Sequence, residues 1–407
     1  MNLGLSMVTA MLISRFRTLE EYGTYSQLIM VGTIASTIFM MGLSGSINYF
    51  LPRAKNKNEQ SIFLSNFYTV STIISIFSSI TLLIVSPSIA EYFDNPIILS
   101  FVYVLAILPW LNIVGGSIDN VFVVLNKIKM LSFYRIGHSV STLIVVLLTV
   151  FLEWSFEKFL FYFIGVQVIY TIAIYIIIGT LVEKFRPRID IKLIREIIAF
   201  SFPLGIAYTV GTFQVETDKL MIGYLYDTET LAIYTNAARE MPITIVVASI
   251  VAVITPSIVR FIKDYQNDYA VKLWRNATAF SYIFLCFFAA ILFAFAPEII
   301  SILYSDKYLK GVEVFRISSI KILLQATNYA ILLIALGRTK YVFYSSILAL
   351  VLNVLLNYLF YLFYGINGFA IATLLSTAII AFLQLYYSSI NVKIPIKSIF
   401  LCKEMFL

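Results

Sequence analysis

The chain has 407 residues, of which 60% are hydrophobic and only 13% are charged, which is about half the charge of an ordinary soluble domain. Its charged residues cluster in short tracts between long apolar runs, and this pattern excludes a compact soluble protein with a continuous polar shell. The net charge of +7 arises in those tracts, which lack the aromatic and glycine framing of a nucleic-acid-binding module. The composition predicts an integral membrane protein with no nucleic-acid partner.

Motifs of catalysis and cofactor binding are missing from the sequence. It contains no GxSxG, HExxH, Walker A or glycine-rich dinucleotide motif, and its single histidine is His138. The two cysteines, Cys286 and Cys402, cannot form a disulfide framework and do not have the spacing of zinc ligands. We therefore expect no enzymatic activity, no cofactor and no metal centre. No cleavable signal peptide is expected either.

Twelve apolar stretches, bounded by charged residues or by Pro and Gly turns, approach the length that a helix needs to cross a bilayer core of about 30 Å. They cover residues 2–16, 24–51, 62–87, 97–125, 132–152, 159–181, 197–225, 231–258, 276–296, 314–336, 341–363 and 367–389. The first is short, because the roughly 14 residues before Arg15 extend only about 21 Å at 1.5 Å per residue.

Basic residues concentrate in alternate loops. The loops that follow the second, fourth, sixth, eighth and tenth stretches, together with the C-terminal tail, hold most of the 29 Lys and Arg residues. The opposite loops are rich in acidic residues such as Glu91, Asp94 and Glu157. Because basic loops stay in the cytoplasm, we predict that both termini are cytoplasmic.

The sequence also repeats itself at a shift of about 210 residues. Three pairs of segments align in order: 19–27 with 228–236, 86–93 with 296–303, and 125–134 with 336–345. They superpose Tyr25 on Tyr234, Pro87 on Pro297, Lys127 on Arg338 and Lys129 on Lys340. A repeat of six spans begins and ends on the same side of the membrane, so the two halves should have parallel topology.

We therefore predict an all-α fold of about 12 transmembrane helices in two parallel six-helix bundles, related by a pseudo-twofold axis along the membrane normal. The predicted divisions are a first bundle over 1–182, a cytoplasmic linker over 183–196, a second bundle over 197–390 and a cytoplasmic tail over 391–407. Two such bundles that rock about a central site are a common plan of carriers.

Three segments carry a resemblance to a known family. The segments LISRFRTLEEYGTYSQ, GLSGSINYFLPRAKNK and ETDKLMIGYLYDTETLAIYTNAAREMP resemble the Wzx-type polysaccharide flippases of the multidrug/oligosaccharidyl-lipid/polysaccharide export superfamily. The resemblance covers nearly the whole chain. It implies a multi-pass protein of the bacterial inner membrane that moves an undecaprenyl-diphosphate-linked oligosaccharide outward by alternating access, for surface polysaccharide or O-antigen synthesis. A polysaccharide polymerase is then an expected partner, alongside the lipid-linked substrate and membrane lipids.

Ionisable residues at membrane depth are costly, so each one indicates a partner or a function. The predicted spans or their ends contain Asp119, Glu216, Asp218, Lys219, Arg239, Glu240, Arg316 and Lys321. We expect a polar cavity whose cations bind the substrate diphosphate, because a guanidinium donates bidentate hydrogen bonds to phosphate oxygens. The candidates for this role are Arg239, Arg316, Lys321 and Arg15.

Other polar residues have two interpretations each. Asp119 and Asp218 are candidates for ion coupling, although Asp119 can equally belong to an interhelical hydrogen-bond network and Asp218 can be interfacial. Two amide pairs, Asn353 with Asn357 and Gln325 with Asn328, can bind sugar hydroxyls or link helices, and linking is slightly favoured. His138 lies near a basic loop and is expected to be structural.

Three functions are compatible with these features. The preferred one is the lipid-linked oligosaccharide flippase. A multidrug or cation-coupled exporter of the same superfamily is the alternative, although a cation carrier would favour an acidic cavity. A membrane polymerase or glycosyltransferase is disfavoured, since such enzymes place catalytic groups in a long external loop, whereas the longest external tract here, about 297–313, is short.

The predicted topology can be tested by cysteine labelling in a variant that lacks both native cysteines. A cysteine at Arg188 should react with a membrane-impermeant maleimide only after the cells are opened, because the linker is predicted to be cytoplasmic. A cysteine at Lys307, in the predicted external tract, serves as the control and should react in intact cells. Labelling of the Arg188 position in intact cells would overturn the topology.

Overall fold

The computed structural model describes residues 2–182 and 184–396, with side chains from residue 4 onward. Within these ranges the chain consists of helices and their connections and contains no strand. Its packing divides it into two compact units. The first unit comprises residues 1–216 and Ile222–Ala232, and the second comprises Thr217–Met221 and the chain from Ile233 onward. Most of the predicted tail, from residue 397, lies outside the described residues, as does Cys402.

The helices of the first half are α1 (Asn2–Phe16), α2 (Leu19–Met40), α3 (Leu43–Phe50), α4 (Lys57–Tyr92), α5 (Ile97–Ser100), α6 (Val102–Gly115), α7 (Ile118–Val124), α8 (Ile128–Phe151) and α9 (Phe156–Leu181). Those of the second half are α10 (Ile191–Leu225), α11 (Thr228–Ala237), α12 (Thr244–Lys263), α13 (Asn267–Ala294), α14 (Ala296–Leu303), α15 (Val312–Lys321), α16 (Ile331–Ala335), α17 (Thr339–Tyr364) and α18 (Ile366–Val392). Short 3₁₀ helices cover Leu51–Arg53, Asp306–Gly311 and Ile322–Gln325.

Ten of the twelve predicted spans correspond to helices that can cross a membrane by length and composition. Nine of the described helical spans qualify individually, and α2 with Leu43–Arg53 forms a tenth that is bent by 48°. The other two predicted spans, 2–16 and 314–336, are the short helix α1 and a series interrupted between α15 and α16. The multi-pass helical architecture predicted from the sequence is confirmed.

The order of helices also repeats. Helices α4 and α13 begin 210 residues apart, α8 and α17 begin 211 apart, and α9 and α18 begin 210 apart. Helices α2 and α11 begin 209 apart, and each has an N-cap that its sequence provides. Thr18 accepts a hydrogen bond from the Glu21 amide and Asp227 accepts one from the Thr230 amide. Two of the three aligned pairs, 19–27 with 228–236 and 125–134 with 336–345, therefore contain equivalent helix starts, whereas 86–93 ends α4 and 296–303 forms the separate helix α14.

The pair Arg17-Thr18 at the start of α2 has a structural role in the first unit. The Glu21 side chain in turn accepts a hydrogen bond from the backbone amide of Thr18, which completes a capping box. Arg17 donates to the carbonyl oxygen of Trp154 at 2.8 Å and lies 3.8 Å from Glu21. Burial lowers the pKa of the Arg17 guanidinium, and the Glu21 carboxylate acts in the opposite direction. These contacts fix the turn between α1 and α2 to the turn between α8 and α9.

The predicted linker is ordered along α4. Side chains spaced four residues apart on α4 accept hydrogen bonds from the linker backbone: Ser65 from the Arg186 amide and Thr69 from the Arg188 amide. Asn66 accepts from the Asp190 amide, and α10 then begins at Ile191, inside the segment predicted as linker. The connection is therefore shorter than expected, because Asp190 caps the next helix by accepting from the amides of Lys192 and Leu193.

Helix α4 shows how the chain distributes polarity. From Ser71 onward its buried residues are mostly serines and its exposed residues are mostly large and apolar, which is the reverse of a soluble helix and typical of a helix in lipid. The buried residues include Ser71, Ser75, Ser78 and Ser86, and the exposed ones include Ile73, Ile76, Phe77, Ile80 and Ile84.

Four spans are interrupted. The chain leaves the helix at 41–42, 116–117, 238–243 and 326–330, within the second, fourth, eighth and tenth predicted spans. Each interruption lies in a stretch that hydropathy treats as continuous. The break in the second span is closely packed: Met41 and Gly42 adopt left-handed φ angles of 46° and 71°, and the turn lies against α10. A Cβ atom on Gly205 would lie 2.4 Å from the carbonyl carbon of Met41.

Replacing Gly205 by alanine should destabilise the protein, because the new methyl group would overlap backbone that cannot move aside. Gly211 lies on the same helix, and a Cβ atom added there would have nothing within 4 Å, so Gly211→Ala is a matched control. We expect the midpoint of thermal unfolding in detergent to fall by several degrees for Gly205→Ala and to stay or rise for Gly211→Ala. Equal midpoints for the two variants would contradict the close packing at Met41.

Candidate functional site

A small pocket lined by both charged and apolar side chains lies in the second unit where two interrupted spans meet. One side is formed by the turn after α11 and the other by the end of α15 and the 3₁₀ helix that follows. Its cavity volume is about 10 Å³, which is room for about one water molecule, so a larger group could enter only if the two spans move apart. The lining residues are Ala238, Arg239, Glu240, Met241, Phe315, Ser318, Ser319, Lys321, Ile322 and Gln325.

The turn that carries Arg239 results from Pro242. Proline has no N–H group to donate to the preceding helical turn, and it disfavours the helical conformation at the residue before it, Met241. Helix α11 accordingly ends at Ala237 and α12 begins at Thr244. We predicted Arg239 within a continuous span of residues 231–258, and this is wrong in one respect: Arg239 and Glu240 lie on unwound backbone. Such breaks at membrane depth are tolerated where they line a cavity.

The pocket brings together two of the four cations expected to bind the diphosphate, Arg239 and Lys321. Its one carboxylate, Glu240, accepts a hydrogen bond of 2.8 Å from the amide nitrogen of Gln325. By formal charge the pocket lining therefore has an excess of one positive charge. Gln325 links two spans here, as one of its two interpretations predicted. Asn328 acts locally and accepts from the amide of Ala330.

Arg316 and Arg15 do not line this pocket. Arg316 donates to Glu313 at 2.6 Å, and its guanidinium lies 5.6 Å from the centre of the Phe293 ring. Lys321 follows Arg316 by five positions, so the two side chains leave α15 in different directions. Arg15 belongs to the first unit and is exposed at the end of α1.

A second polar cluster surrounds Asp218, also in the second unit. The Asp218 side chain is buried, with 6% of the residue exposed, and its carboxylate accepts three hydrogen bonds. The donors are the Tyr234 hydroxyl at 2.6 Å, the Thr373 hydroxyl at 2.5 Å and the Asn357 amide at 2.8 Å. Three donors compensate for much of the cost of burying a carboxylate. Asp218 is therefore an internal residue rather than an interfacial one.

The Asp218 cluster is rich in oxygen atoms that could hold a cation. Asn353 and Asn357 lie on one face of α17, as predicted, and Asn353 donates to Thr373 at 3.1 Å, so the pair also links α17 with α18. The buried Oδ1 atom of Asn357 has no hydrogen-bond partner among the described residues. Carboxylate, amide and hydroxyl oxygens suit a hard cation, and a single carboxylate balances one positive charge. No group of three His, Cys, Asp or Glu side chains in the described ranges could hold a metal ion.

Sequence reasoning did not identify Tyr234 or Thr373 as members of this cluster. A signal for Tyr234 was available, because the repeat aligns it with Tyr25. Thr373 carries no signal of its own, since a threonine within an apolar span most often bonds its own backbone. The remaining ionisable residues of this region, Glu216 and Lys219, are buried and half-buried, respectively.

In the first unit, Asp119 is paired rather than isolated. Both of its carboxylate oxygens accept hydrogen bonds from the guanidinium of Arg135, one of them at 2.9 Å. Arg135 lies inside the predicted span 132–152 and was not among the candidates, because the basic residues Lys127 and Lys129 nearby made it resemble part of a loop. His138 contacts the Gln167 side chain at 2.5 Å.

Comparison with known sequences gives one family. The profile of the family described as "Polysaccharide biosynthesis protein" matches residues 12–313, which is about three quarters of the chain. No curated protein matches the chain significantly.

Comparison with solved structures gives the fold. The lipid II flippase MurJ in an inward closed conformation is 18% identical, with a TM-score of 0.77 over 100% of this chain and 88% of that one. A variant of the Vibrio cholerae MATE transporter VcmN is 13% identical, with a TM-score of 0.63 over 99% and 94%. The eukaryotic MATE transporter AtDTX14 is 14% identical, with a TM-score of 0.59 over 99% and 97%. At these identities the likeness shows a shared fold.

Proposed function

This chain belongs to the polysaccharide biosynthesis protein family, and from that premise we propose that it is a flippase for an undecaprenyl-diphosphate-linked oligosaccharide. It moves this lipid from the inner to the outer leaflet of a bacterial inner membrane by alternating access, with both of its own termini in the cytoplasm. The flipped oligosaccharide then serves surface polysaccharide synthesis, such as that of O-antigen, where a polysaccharide polymerase would use it. The proposal assigns transport, and not catalysis, to the chain.

The observation that carries this proposal is the pocket with Arg239 and Lys321 at the meeting of two interrupted spans. A diphosphate presents several oxygens with at least two negative charges, and the Arg239 fork matches two of those oxygens at once. Lys321 adds a point charge from the facing span. Two cations in one lining suit an anionic substrate, whereas a multidrug exporter of cations would need carboxylates in their place.

Arg316 and Arg15 are proposed as further contacts for the diphosphate along its path. Arg316 is already engaged by Glu313, so we expect it to contribute less than Arg239. Arg15 is exposed, so a lipid headgroup could reach it without any rearrangement of its own helix. In both cases the proposed role is a transient contact between the cation and the diphosphate as the lipid moves past it.

The membrane potential can drive such a movement. With the inside negative, carrying about two negative charges outward through 100 mV releases on the order of 4 to 5 kcal/mol. This supports a flippase that needs no ATP hydrolysis. Coupling to an ion is a separate element of the proposal, and we assign it to Asp218. The other candidate, Asp119, has its carboxylate bound by Arg135.

Arg239 variants test the diphosphate pocket in a strain that lacks the native flippase. We expect Arg239→Lys to retain part of the surface polysaccharide, because the charge remains while the bidentate geometry is lost, and Arg239→Ala and Arg239→Glu to lose most of it. Surface polysaccharide is measured against the membrane level of each variant. Arg260→Ala, near the C-terminal end of α12, removes an exposed cation and should export normally. Full export by a normally expressed Arg239→Ala protein would refute the binding role.

Asp218→Asn tests ion coupling, since it removes the charge while keeping the size of the side chain. In proteoliposomes, we expect the wild-type protein to flip its lipid faster when a sodium or proton gradient is imposed, and the variant to show the same rate with and without the gradient. Asp264→Asn, at an exposed carboxylate, should behave like the wild type. Undiminished gradient dependence in a stable Asp218→Asn protein would exclude Asp218 as the coupling residue.

A further inference from the structure

The first unit contains an ion pair that is not part of the proposed diphosphate pocket, because all residues that line that pocket belong to the second unit. It joins Asp119 at the start of α7 to Arg135 on α8. Both side chains are partly exposed, Arg135 to 47% and Asp119 to 42%. Because the two charges cancel, the pair offers hydrogen-bonding atoms without a net charge.

Arg135 lies inside the span predicted over residues 132–152, near its N-terminal end. Helix α8 begins at Ile128, so Arg135 lies about 10 Å along the helix at 1.5 Å per residue. Charged groups at such a depth open onto water or protein rather than lipid, because hydrocarbon does not solvate them.

The face of α8 that carries Arg135 is an interior face. Thr142 and Thr149 follow Arg135 at intervals of seven residues, hence on nearly the same side of the helix, and they are 7% and 6% exposed. The opposite side carries the large exposed apolar residues expected against lipid, which include Phe133, Val140, Ile144 and Phe151. The first unit therefore closes around the C-terminal part of this face and leaves the N-terminal part, at Arg135, accessible.

Further polar groups lie on the residues that neighbour the pair along α7 and α8. Asn120, the neighbour of Asp119, donates to the carbonyl oxygen of Ser44 at 3.1 Å and accepts from the exposed Asn48 side chain at 3.4 Å. His138 lies one helical turn from Arg135 on α8 and contacts Gln167 of α9 at 2.5 Å. Besides the guanidinium and imidazole of α8, helices α3, α7 and α9 thus contribute amide or carboxylate groups, each bonded to α8 directly or through a neighbouring residue of α7.

Aromatic rings lie beside these groups. The Tyr170 ring is 5.0 Å from His138 and 5.4 Å from Tyr134, between centroids in each case. Gly137 makes this packing possible, since a Cβ atom there would lie 2.9 Å from the Tyr170 hydroxyl oxygen. Ring faces therefore lie next to the donors and acceptors of His138 and Gln167.

We infer that this cluster, formed by Asn48, Asp119, Asn120, Arg135, His138 and Gln167, binds hydroxyl groups of the oligosaccharide of the transported lipid. The inference rests on the proposed flippase function and assigns a part of that substrate to residues of the first unit. A sugar hydroxyl both donates and accepts, which is what amide, carboxylate and guanidinium side chains in one patch can match. A phosphate fits less well, because the Asp119 carboxylate repels it and occupies the Arg135 fork.

Two lipids distinguish this role from the binding of diphosphate. The full-length protein in nanodiscs is titrated with undecaprenyl diphosphate and with the same lipid carrying the oligosaccharide of the source organism. We expect the wild type to bind the glycosylated lipid at least about tenfold more tightly. The double variant Asp119→Asn with Arg135→Gln removes both charges together, so neither is left unpaired. It should lose most of this preference and bind undecaprenyl diphosphate as the wild type does.

Further variants separate recognition from folding. Asn120→Ala leaves the ion pair in place and should also reduce the preference, while Ser132→Ala, at an exposed position of α8, should not. An unchanged preference in both the double variant and Asn120→Ala overturns the inference, as does equal wild-type affinity for the two lipids, and in these cases the flippase proposal stands. Equal losses for both lipids in both variants would show a structural role and also overturn it. A wild-type protein that binds neither lipid would instead refute the proposed function, and the inference with it.

Discussion

The backbone of a membrane protein must satisfy its hydrogen-bonding groups internally, and the arrangement of this chain follows from that constraint. A span can unwind only where other groups replace the lost helical bonds. At the tenth span the side chain of Asn328 accepts from the amide of Ala330. At the fourth, the Ser117 hydroxyl bonds both the Val114 carbonyl oxygen and the Tyr68 hydroxyl. Polar side chains at membrane depth therefore serve first to bond the backbone groups that the breaks leave free. The breaks in turn determine where a pocket with polar residues can form.

The two halves share a scaffold but not their chemistry. At the shift of 209 residues that aligns α11 with α2, Arg239 corresponds to Met30 and Asp218 to Thr9. Helix α2 is continuous at Met30, whereas the second half is unwound at Arg239. Conversely, Arg135 corresponds to Ser346 at the shift of 211 residues. The order of helices repeats between the halves, whereas these ionisable groups are specific to one half or the other.

Hydropathy and loop charge were sufficient to predict the helical, multi-pass architecture, because span length and apolarity depend only on bilayer thickness. They could not predict the interruptions, since an unwound apolar segment has the same hydropathy as a helical one. Pro242 is the sequence signal for the interruption of the eighth span, because proline lacks the N–H group of a continuous helix. The separate placement of Arg316 was also predictable in part, because Glu313 precedes it by three residues, the spacing of an ion pair on a helix. The partners of Asp218 were not, as they come from α11, α17 and α18, far apart in sequence.

A charged side chain inside the membrane needs a group of opposite charge nearby, and whether the chain itself supplies that group bears on what the side chain can bind. Placing an arginine at membrane depth costs about 2.5 to 3.5 kcal/mol on insertion scales, and a carboxylate in contact offsets much of this. Asp119 does so for Arg135, and Glu313 does so for Arg316. The pocket lining holds one carboxylate for the two cations Arg239 and Lys321, and Gln325 holds that carboxylate by a hydrogen bond. Under the proposed function, the two cations of the pocket lining suit an anionic headgroup, whereas the Arg135 guanidinium already binds the Asp119 carboxylate. The two proposed roles, binding of diphosphate and binding of hydroxyl groups, thus fall on side-chain sets with different ratios of cations to carboxylates.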